Sequence, residues 1–474
     1  MGKDILVTDS PSNVDEAAAP REFFTRDKSF YKTLFMMALT IILQNIITYS
    51  VNVADNIMLG TYKQSALAGA AAVNQIQYML QMLTISGWGE GLVALAARFW
   101  GAKDVKNVQK TSGLALIMGV SLGLIITLLA FLFPDKLVAF FAEDAEIRAQ
   151  ALDYLSLMRY SYIMFIITSL LLVTMRSVQR VGIAFKVSCL ALVVNVTINS
   201  ILIYGRFGAP EMGIRGAAIG TLVARCLEFI VVLIYTRSKK LPIRLRLSEM
   251  FPPTRELLVN FLRIALPCIA ASLMFGMATT IHTVIFGHVS ADAMAASTAA
   301  STLFQYVKMI PMGVSSAAAV IIAKTIGSGE LRKIKPYVRT LQVIFASFGV
   351  LASVILLLLR NFVIGLYTIT PQAKEFALQM LIVQSIMLVG TSYQAPCQVG
   401  IIRPGGDSKY VMVSDMLYSW GFTVPLSLLA AFVFHWPVVA IVICLNVDQL
   451  LKCVTVSYKL NRYTWIKKLA VNSN

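Results

Sequence analysis

The chain has 474 residues, 57% of them hydrophobic and 14% charged, with a mean hydropathy of +0.73. That composition excludes both an ordinary soluble domain and a disordered polar chain, and it places the protein in a bilayer. The net charge of +17 raises nucleic acid as a partner, but the basic residues are distributed in a way that excludes it.

Residues 1–29 are polar and carry no continuous apolar run ahead of a small-residue cleavage site, so they read as a tail rather than a signal peptide. Spans of about 20 apolar residues follow, the length that a hydrocarbon core of roughly 30 Å demands. Twelve are predicted, at 31–54, 68–97, 113–133, 155–175, 183–204, 214–236, 257–286, 295–323, 338–366, 377–401, 410–434 and 437–458. Turn chemistry separates them, as at Phe133-Pro134-Asp135, Gly205 to Pro210 and Pro404 to Asp407. The expected fold is an all-α integral membrane protein. An N-terminal six-helix lobe, 30–236, is joined by a basic linker, 237–256, to a C-terminal six-helix lobe, 257–460, and 461–474 form a tail.

The division into lobes rests on a repeat. Gly60 to Gly69 align with Gly287 to Ala296 at an offset of 227, Ala38-Leu39 with Ala265-Leu266 and Met175-Arg176 with Ile402-Arg403. Ala97 to Gly101 align with Ala323 to Gly327 at 226. One offset kept across both halves predicts two pseudo-symmetric bundles, an arrangement built for transport.

Thirty of the 41 Lys and Arg fall on the side that holds the N-terminus and seven on the other. By the positive-inside rule both termini are expected in the cytoplasm of a bacterial cell, with the protein multi-pass in the plasma membrane. Lys239, Lys240, Arg244 and Arg246 in the linker read as solvated or as touching anionic headgroups. The six cysteines lie in apolar spans without ligand spacing, so neither a disulfide framework nor a metal cluster is expected.

The run Asp55 to Gly60, the loop Trp100 to Asp104, Asn195 to Ile203 leading to Phe207 to Thr221, and Gly405-Gly406-Asp407 resemble bacterial multidrug and toxic compound extrusion (MATE) transporters. The resemblance covers residues 30 to 468. It implies two six-helix bundles around a central cavity that opens alternately inward and outward. It also implies export of amphipathic, often cationic small molecules in exchange for protons or sodium ions. Positions matching Asp55, Asn195 and Asn199 form a cation or proton site in that family, so these three are the expected coupling residues, with sodium as one candidate ion.

The residues support a cavity on their own. Asn45, Thr48, Asn52 and Asp55 recur along one stripe of the first span, and Asn74, Gln77, Gln81, Thr84 and Trp88 along the second. The repeat copy in the eighth span reads Ser301, Gln305, Lys308 and Ser315. Polar stripes avoid lipid, so they line a cleft or hydrogen-bond between helices. Asn45, Asn52, Gln77, Gln81, Trp88, Glu90, Gln305, Lys308 and Asp415 are therefore the candidate substrate-cavity residues.

Asp55 is costly in hydrocarbon unless protonated, paired or hydrated, which are the states a coupling ion exploits; an end-of-helix charge near the interface is the other reading. Asn195 and Asn199, four apart, either ligate a cation or bond between helices. Glu90 contacts a cation or forms a salt bridge. Lys308 pairs with Asp55, Glu90 or Asp415, loses its charge, or binds an anionic group of the substrate. Asp415 reads as paired with a neighbouring helix. Arg225 and Glu228 should satisfy each other.

The C-terminal half departs from the family pattern. The repeat sets His282 opposite Asp55 and Phe422 opposite Asn195, and the seventh span has no mid-span acid. A flippase or exporter of an anionic or lipid-linked substrate is the alternative function. No catalytic motif and no nucleotide-binding loop occurs, so neither an enzyme nor ATP drive is expected, and no cofactor beyond the coupling ion. Small amphipathic molecules and the lipid bilayer are the expected partners, and the protein is expected to act as a monomer.

Overall fold

The structure is a computed structural model and describes residues 22–142, 144–238, 247–250, 253–367 and 369–467. Lys239, Lys240, Arg244 and Arg246 of the basic linker lie outside the described residues, as do 1–21 of the N-terminal tail and 468–474 of the C-terminal one. Among the described residues every regular element is helical.

The chain begins with α1, Lys28–Tyr62. Next come α2, Gln64–Gln81, a π-helical segment, Met82–Gly89, and α3, Glu90–Gly101, which run on without interruption through the predicted second span. They are followed by α4 (Val105–Leu132), α5 (Pro134–Ala139), α6 (Ala145–Met158), α7 (Ser161–Ser177), α8 (Gly182–Leu202) and α9 (Ile214–Thr236). The second half holds α10 (Leu247–Met250), α11 (Arg255–Val289), α12 (Ala291–Gly327), α13 (Ile334–Gly365) and α14 (Pro371–Cys397). It closes with α15 (Ser408–Asp415), α16 (Val424–Leu428), α17 (Val438–Asn446) and α18 (Asp448–Asn461).

Among the described residues ten helices are long and apolar enough to cross a membrane, and α6 with α7 make an eleventh as a bent pair. The bend corrects one expectation. The predicted fourth span, 155–175, is not one straight helix: α6 and α7 meet at 56° across Arg159 and Tyr160. The Arg159 guanidinium lies 4.0 Å from the Phe131 ring centroid and 5.6 Å from that of Tyr160. These contacts give the charged residue aromatic partners at the break between the two helices.

Local chemistry sets the element ends. Asp104 accepts from the Asn107 amide and starts α4, Asp144 accepts from the amides of Glu146 and Ile147 and starts α6, and Ser290 and Thr370 cap α12 and α14 in the same way. Pro396 removes a backbone donor just before the π-helical segment Gln398–Ile402, and Pro425 follows a second one, Met416–Thr423.

The chain divides into two compact units, one of residues 43–96 and 104–261, the other of 1–42, 97–103 and 262–474. In the first, small residues let backbones meet: a Cβ on Gly69 of α2 would sit 2.8 Å from the Ala151 amide of α6. The Thr174 hydroxyl of α7 donates to Ser112 of α4 at 3.1 Å.

In the second unit α12 is the core. Ala293, Ala296, Ala299, Ala300, Ala317 and Ala318 are all at most 1% exposed, and most of the helix's apolar stretch is buried. The buried Arg98 guanidinium donates to the Pro404 carbonyl (2.7 and 3.0 Å) and to that of Lys467 (3.1 Å). Asp27, ahead of α1, accepts from the Tyr337 hydroxyl at 2.7 Å, which holds its carboxyl below the usual range.

Large apolar side chains stand exposed along the spans, among them Phe35 (65%), Val193 (64%), Ile234 (67%), Leu358 (74%) and Val454 (72%). A soluble protein does not leave such rows open, and lipid is the environment that accepts them. Gly69→Val, which drives a side chain into the α6 backbone, is expected to cost about 1–3 kcal/mol. A lower melting temperature of the detergent-solubilised protein checks it.

Candidate functional site

Within the first unit the structure brings together the three residues expected to couple to an ion. Asp55 of α1 accepts from Asn199 Nδ2 of α8 at 2.6 Å. The same amide nitrogen lies 3.4 Å from Asn195 Oδ1, and Asn195 Nδ2 donates to Thr221 Oγ1 of α9 at 3.2 Å. Asn195 and Asn199 are 1% and 0% exposed. The helical spacing of the two Asn makes this chain possible, because residues four apart share one face.

Asn199 Oδ1 is buried and has no hydrogen-bond donor. A Cβ on Gly220 of α9 would run into that oxygen, so the glycine is what gives the amide its place. Sequence reasoning missed Gly220 and Thr221, since nothing in α9 itself signals that a distant amide lies against them.

A carboxyl group whose hydrogen-bond partner is a neutral amide, beside an unmet oxygen acceptor, has room for a cation's chemistry. A bare hard cation would find oxygen ligands in Asp55, Asn195, Asn199 and Thr221. A proton on Asp55 would turn the carboxyl into a donor, and rotation of the Asn199 amide would then present its unmet oxygen. Arg225 and Tyr154 act on Asp55 electrostatically. Arg225 itself is bound to Glu228 at 2.8 Å, as expected. Tyr204, three residues before Phe207, donates to the Met58 carbonyl at 2.9 Å and meets Thr61 at 2.7 Å, fixing the end of α1 near Asp55.

The other candidates of this unit are spread along their helices. Asn45 is half-buried, and Asn52 and Gln81 are exposed. Both amide atoms of Gln77 and the Trp88 indole nitrogen are buried without partners. Trp88 stacks on Phe261 with ring centroids 6.0 Å apart. Glu90, the first residue after the π-helical segment 82–89, sits 3.6 Å from Arg176 of α7, so it takes the salt-bridge reading.

In the second unit Gln305 is exposed, and Ser315 Oγ, at the deep end of the same stripe, donates to the Pro396 carbonyl at 3.3 Å. Lys308 has no carboxylate within ion-pairing distance among the described residues. Its ammonium lies 5.7 Å from the Phe275 centroid and 5.9 Å from that of Phe304. None of the three partners considered for it pairs with it. Asp415 pairs instead with Lys452 of α18, at 3.0 Å.

Comparison with known proteins gives a family model, MatE, matching residues 40–201 and 267–429. An uncharacterized transporter, YisQ, of Bacillus subtilis is 21% identical over 93% of this chain and 96% of its own. A probable multidrug resistance protein, NorM, of Streptococcus pneumoniae is 26% identical over 81% and 84%. Among solved structures, a MOP superfamily transporter of Pyrococcus furiosus superposes with a TM-score of 0.84 at 17% identity, covering 94% of this chain and all of the other. The Vibrio cholerae MATE transporter VcmN gives 0.82 at 17% identity over 93% and 98%.

The Asp55 to Asn199 contact generates a test. Asn199→Ala leaves the carboxylate without its amide donor and is expected to cost about 1.5–3 kcal/mol, the range for a hydrogen bond to a charged group. Gly220→Ala should act in the same direction through displacement of Asn199. Thermal unfolding of both variants beside the double variant Asn199→Ala/Gly220→Ala checks this, with the second substitution expected to add little once Asn199 is gone.

Proposed function

The chain belongs to the MatE family, and from that premise we propose that it is a secondary active multidrug exporter that expels amphipathic, often cationic small molecules in exchange for protons or sodium ions. Membership makes it a transporter embedded in a cell membrane. The export cycle, the ions and the residues assigned to them are our reading. The observation that carries it is Asp55, a carboxylate inside an apolar span whose hydrogen-bond partner, Asn199, is neutral.

A charge so placed is stable in one state of the helices and costly in another, depending on whether a cation sits with it. Binding of a proton or sodium neutralises the group and lets the surrounding helices repack. Release on the other side of the membrane restores the charge. To move the balance between two states from 1:99 to 99:1, the ion must favour one of them by about 10,000-fold. Asp55, Asn195 and Asn199 hold the ion in this scheme, while Asn45, Asn52, Gln77, Gln81, Trp88 and Gln305 offer hydrogen bonds and ring surface to varied ligands. Glu90 holds Arg176, an arrangement that a competing cation would have to break. Both termini lie in the cytoplasm, and the protein works as a monomer without ATP.

Lys308 supports a second reading, export of an anionic or lipid-linked substrate, because an ammonium with only aromatic rings beside it is open to an acidic group. The deciding experiment is ethidium efflux from proteoliposomes under an imposed proton gradient and, separately, a sodium gradient. Efflux is expected with one gradient, and Asp55→Asn is expected to reduce it at least tenfold while the protein still folds. Coupled efflux by Asp55→Asn at the wild-type rate would overturn the assignment. Lys308→Gln is expected to leave ethidium export intact and to abolish any competition by anionic amphiphiles.

A further inference from the structure

The repeat relating the two halves holds in three dimensions as well as in sequence. A Cβ on Gly89 would sit 3.5 Å from the Val173 side chain of α7, and one on Gly400 would sit 2.9 Å from the Ser315 carbonyl of α12. Ser315 follows Gly89 by 226 residues and Gly400 follows Val173 by 227, the same two offsets that align Ala97 to Gly101 and Met175-Arg176 with their copies. The contact of α12 with the π-helical segment Gln398–Ile402 therefore repeats the contact of segment 82–89 with α7.

The charges do not follow. In the first half Glu90, next to Gly89, pairs with Arg176, three residues after Val173, at 3.6 Å. In the second half the same steps lead to Ser316 and Arg403. The cation is kept, and its carboxylate is replaced by a neutral hydroxyl. Arg403 is only 9% exposed, yet no carboxylate lies within ion-pairing distance of it among the described residues. The acid of the following turn, Asp407, is engaged by Lys459 at 2.8 Å and lies 3.8 Å from Lys467. Arg98, buried against the same turn, gives its guanidinium to the Pro404 carbonyl at 2.7 Å and has no carboxylate either.

A buried guanidinium without a counter-ion is costly. Around Arg403 three buried donors also lack an acceptor: its own Nε, Gln398 Nε2 and Ser408 Oγ. Gln398 and Ser408 are 3% and 2% exposed. The Arg403 amide donates to the Gln398 carbonyl at 2.9 Å, so the π turn sets these two residues one above the other. Ser408 begins α15 at the end of the turn that Arg403 opens, where the Gly406 amide returns to the Arg403 carbonyl at 2.8 Å. Unmet donors beside an unpaired guanidinium call for an anion that presents several oxygens.

We infer that the second half carries an oxyanion site at Arg403, with Gln398 and Ser408 as neutral donors, in the place that Glu90 fills for Arg176 in the first half. The ligand is a phosphate group. Its oxygens outnumber the two of a carboxylate and serve guanidinium, amide and hydroxyl together, and its charge suits a turn where Arg98, Arg403, Lys459 and Lys467 surround the single acid Asp407. Arg403 lies directly after the span Pro371–Ile402, within reach both of lipid headgroups and of phosphate in solution.

The test uses the full chain in maltoside micelles as wild type, Arg403→Gln and Ser316→Glu, at constant ionic strength. Inorganic phosphate is titrated in one arm and phosphatidylglycerol is added to the micelles in the other, with thermal unfolding followed by tryptophan fluorescence. A ligand of the folded state raises the melting temperature. Wild type is expected to show that rise, and Arg403→Gln to lose it; their difference removes the general effect of phosphate as an excluded salt. Ser316→Glu, which supplies the carboxylate of the first half, is expected to melt above wild type without ligand and to lose the rise as well. A rise with inorganic phosphate identifies a free anion as the occupant, and a rise with phosphatidylglycerol alone identifies a lipid headgroup. No rise in wild type in either arm would overturn the inference, as would an undiminished rise in either variant. Should Arg403→Gln fail to fold, Ser316→Glu carries the same comparison.

Discussion

Inside hydrocarbon an ionised side chain persists only where another group replaces the water it has lost, and the arrangement of this protein follows from that constraint. Glu90 meets Arg176, Arg225 meets Glu228, and Lys452 meets Asp415 and Asp448. Each pair joins different helices or successive turns of one, so satisfying the charges also fixes which helix faces turn inward. Other groups are met differently. Asp55 has a neutral amide, and Lys308, like Arg159, has aromatic rings. These are the positions where the compensation is incomplete and where something that arrives from outside has most to offer.

The same constraint governs the backbone. Helices must carry their own hydrogen bonds across the membrane, so departures from the regular ladder are confined to sites where proline or glycine forces them or where packing repairs them. Here the π-helical segments adjoin Glu90, Pro396 and Asp415. Close helix packing depends on side chains too small to intervene, as on α12 and at Gly69. Gly220 shows the same device applied to a polar group, since its missing side chain is the space that Asn199 fills.

Much of the fold and part of the site could be read from the sequence. Apolar length marked the spans, and the resemblance to MATE transporters joined Asp55 to Asn195 and Asn199 across about 140 residues, a juxtaposition that the Asp55–Asn199 hydrogen bond matches. Pairings that depend on three-dimensional neighbours could not be read this way. Lys452 has Asp448 four residues before it on its own helix, but Asp415 reaches it from another element, which spacing along one helix does not show. Gln449, which ties Thr391 and Gln394 of α14 to Asp448, looked like an ordinary polar residue. The bend at Arg159 escaped because hydropathy averages over a window wider than the break, and the π-helical segments escaped because they preserve the apolar composition of their neighbours.

The bend has a consequence for the lipid. Beyond it α7 is 17 residues long, and at about 1.5 Å per residue it rises roughly 26 Å, less than a hydrocarbon core of about 30 Å. The neighbouring α4 has 28 residues and exceeds that thickness. The crossing is completed only by the turns of α6, which lie at 56° to α7, so a thicker bilayer asks more of that bend than of the unbroken α4. Acyl-chain length thereby becomes a variable of the protein's environment as physical as pH or ionic strength, with the bend setting the thickness at which the surrounding lipid begins to strain.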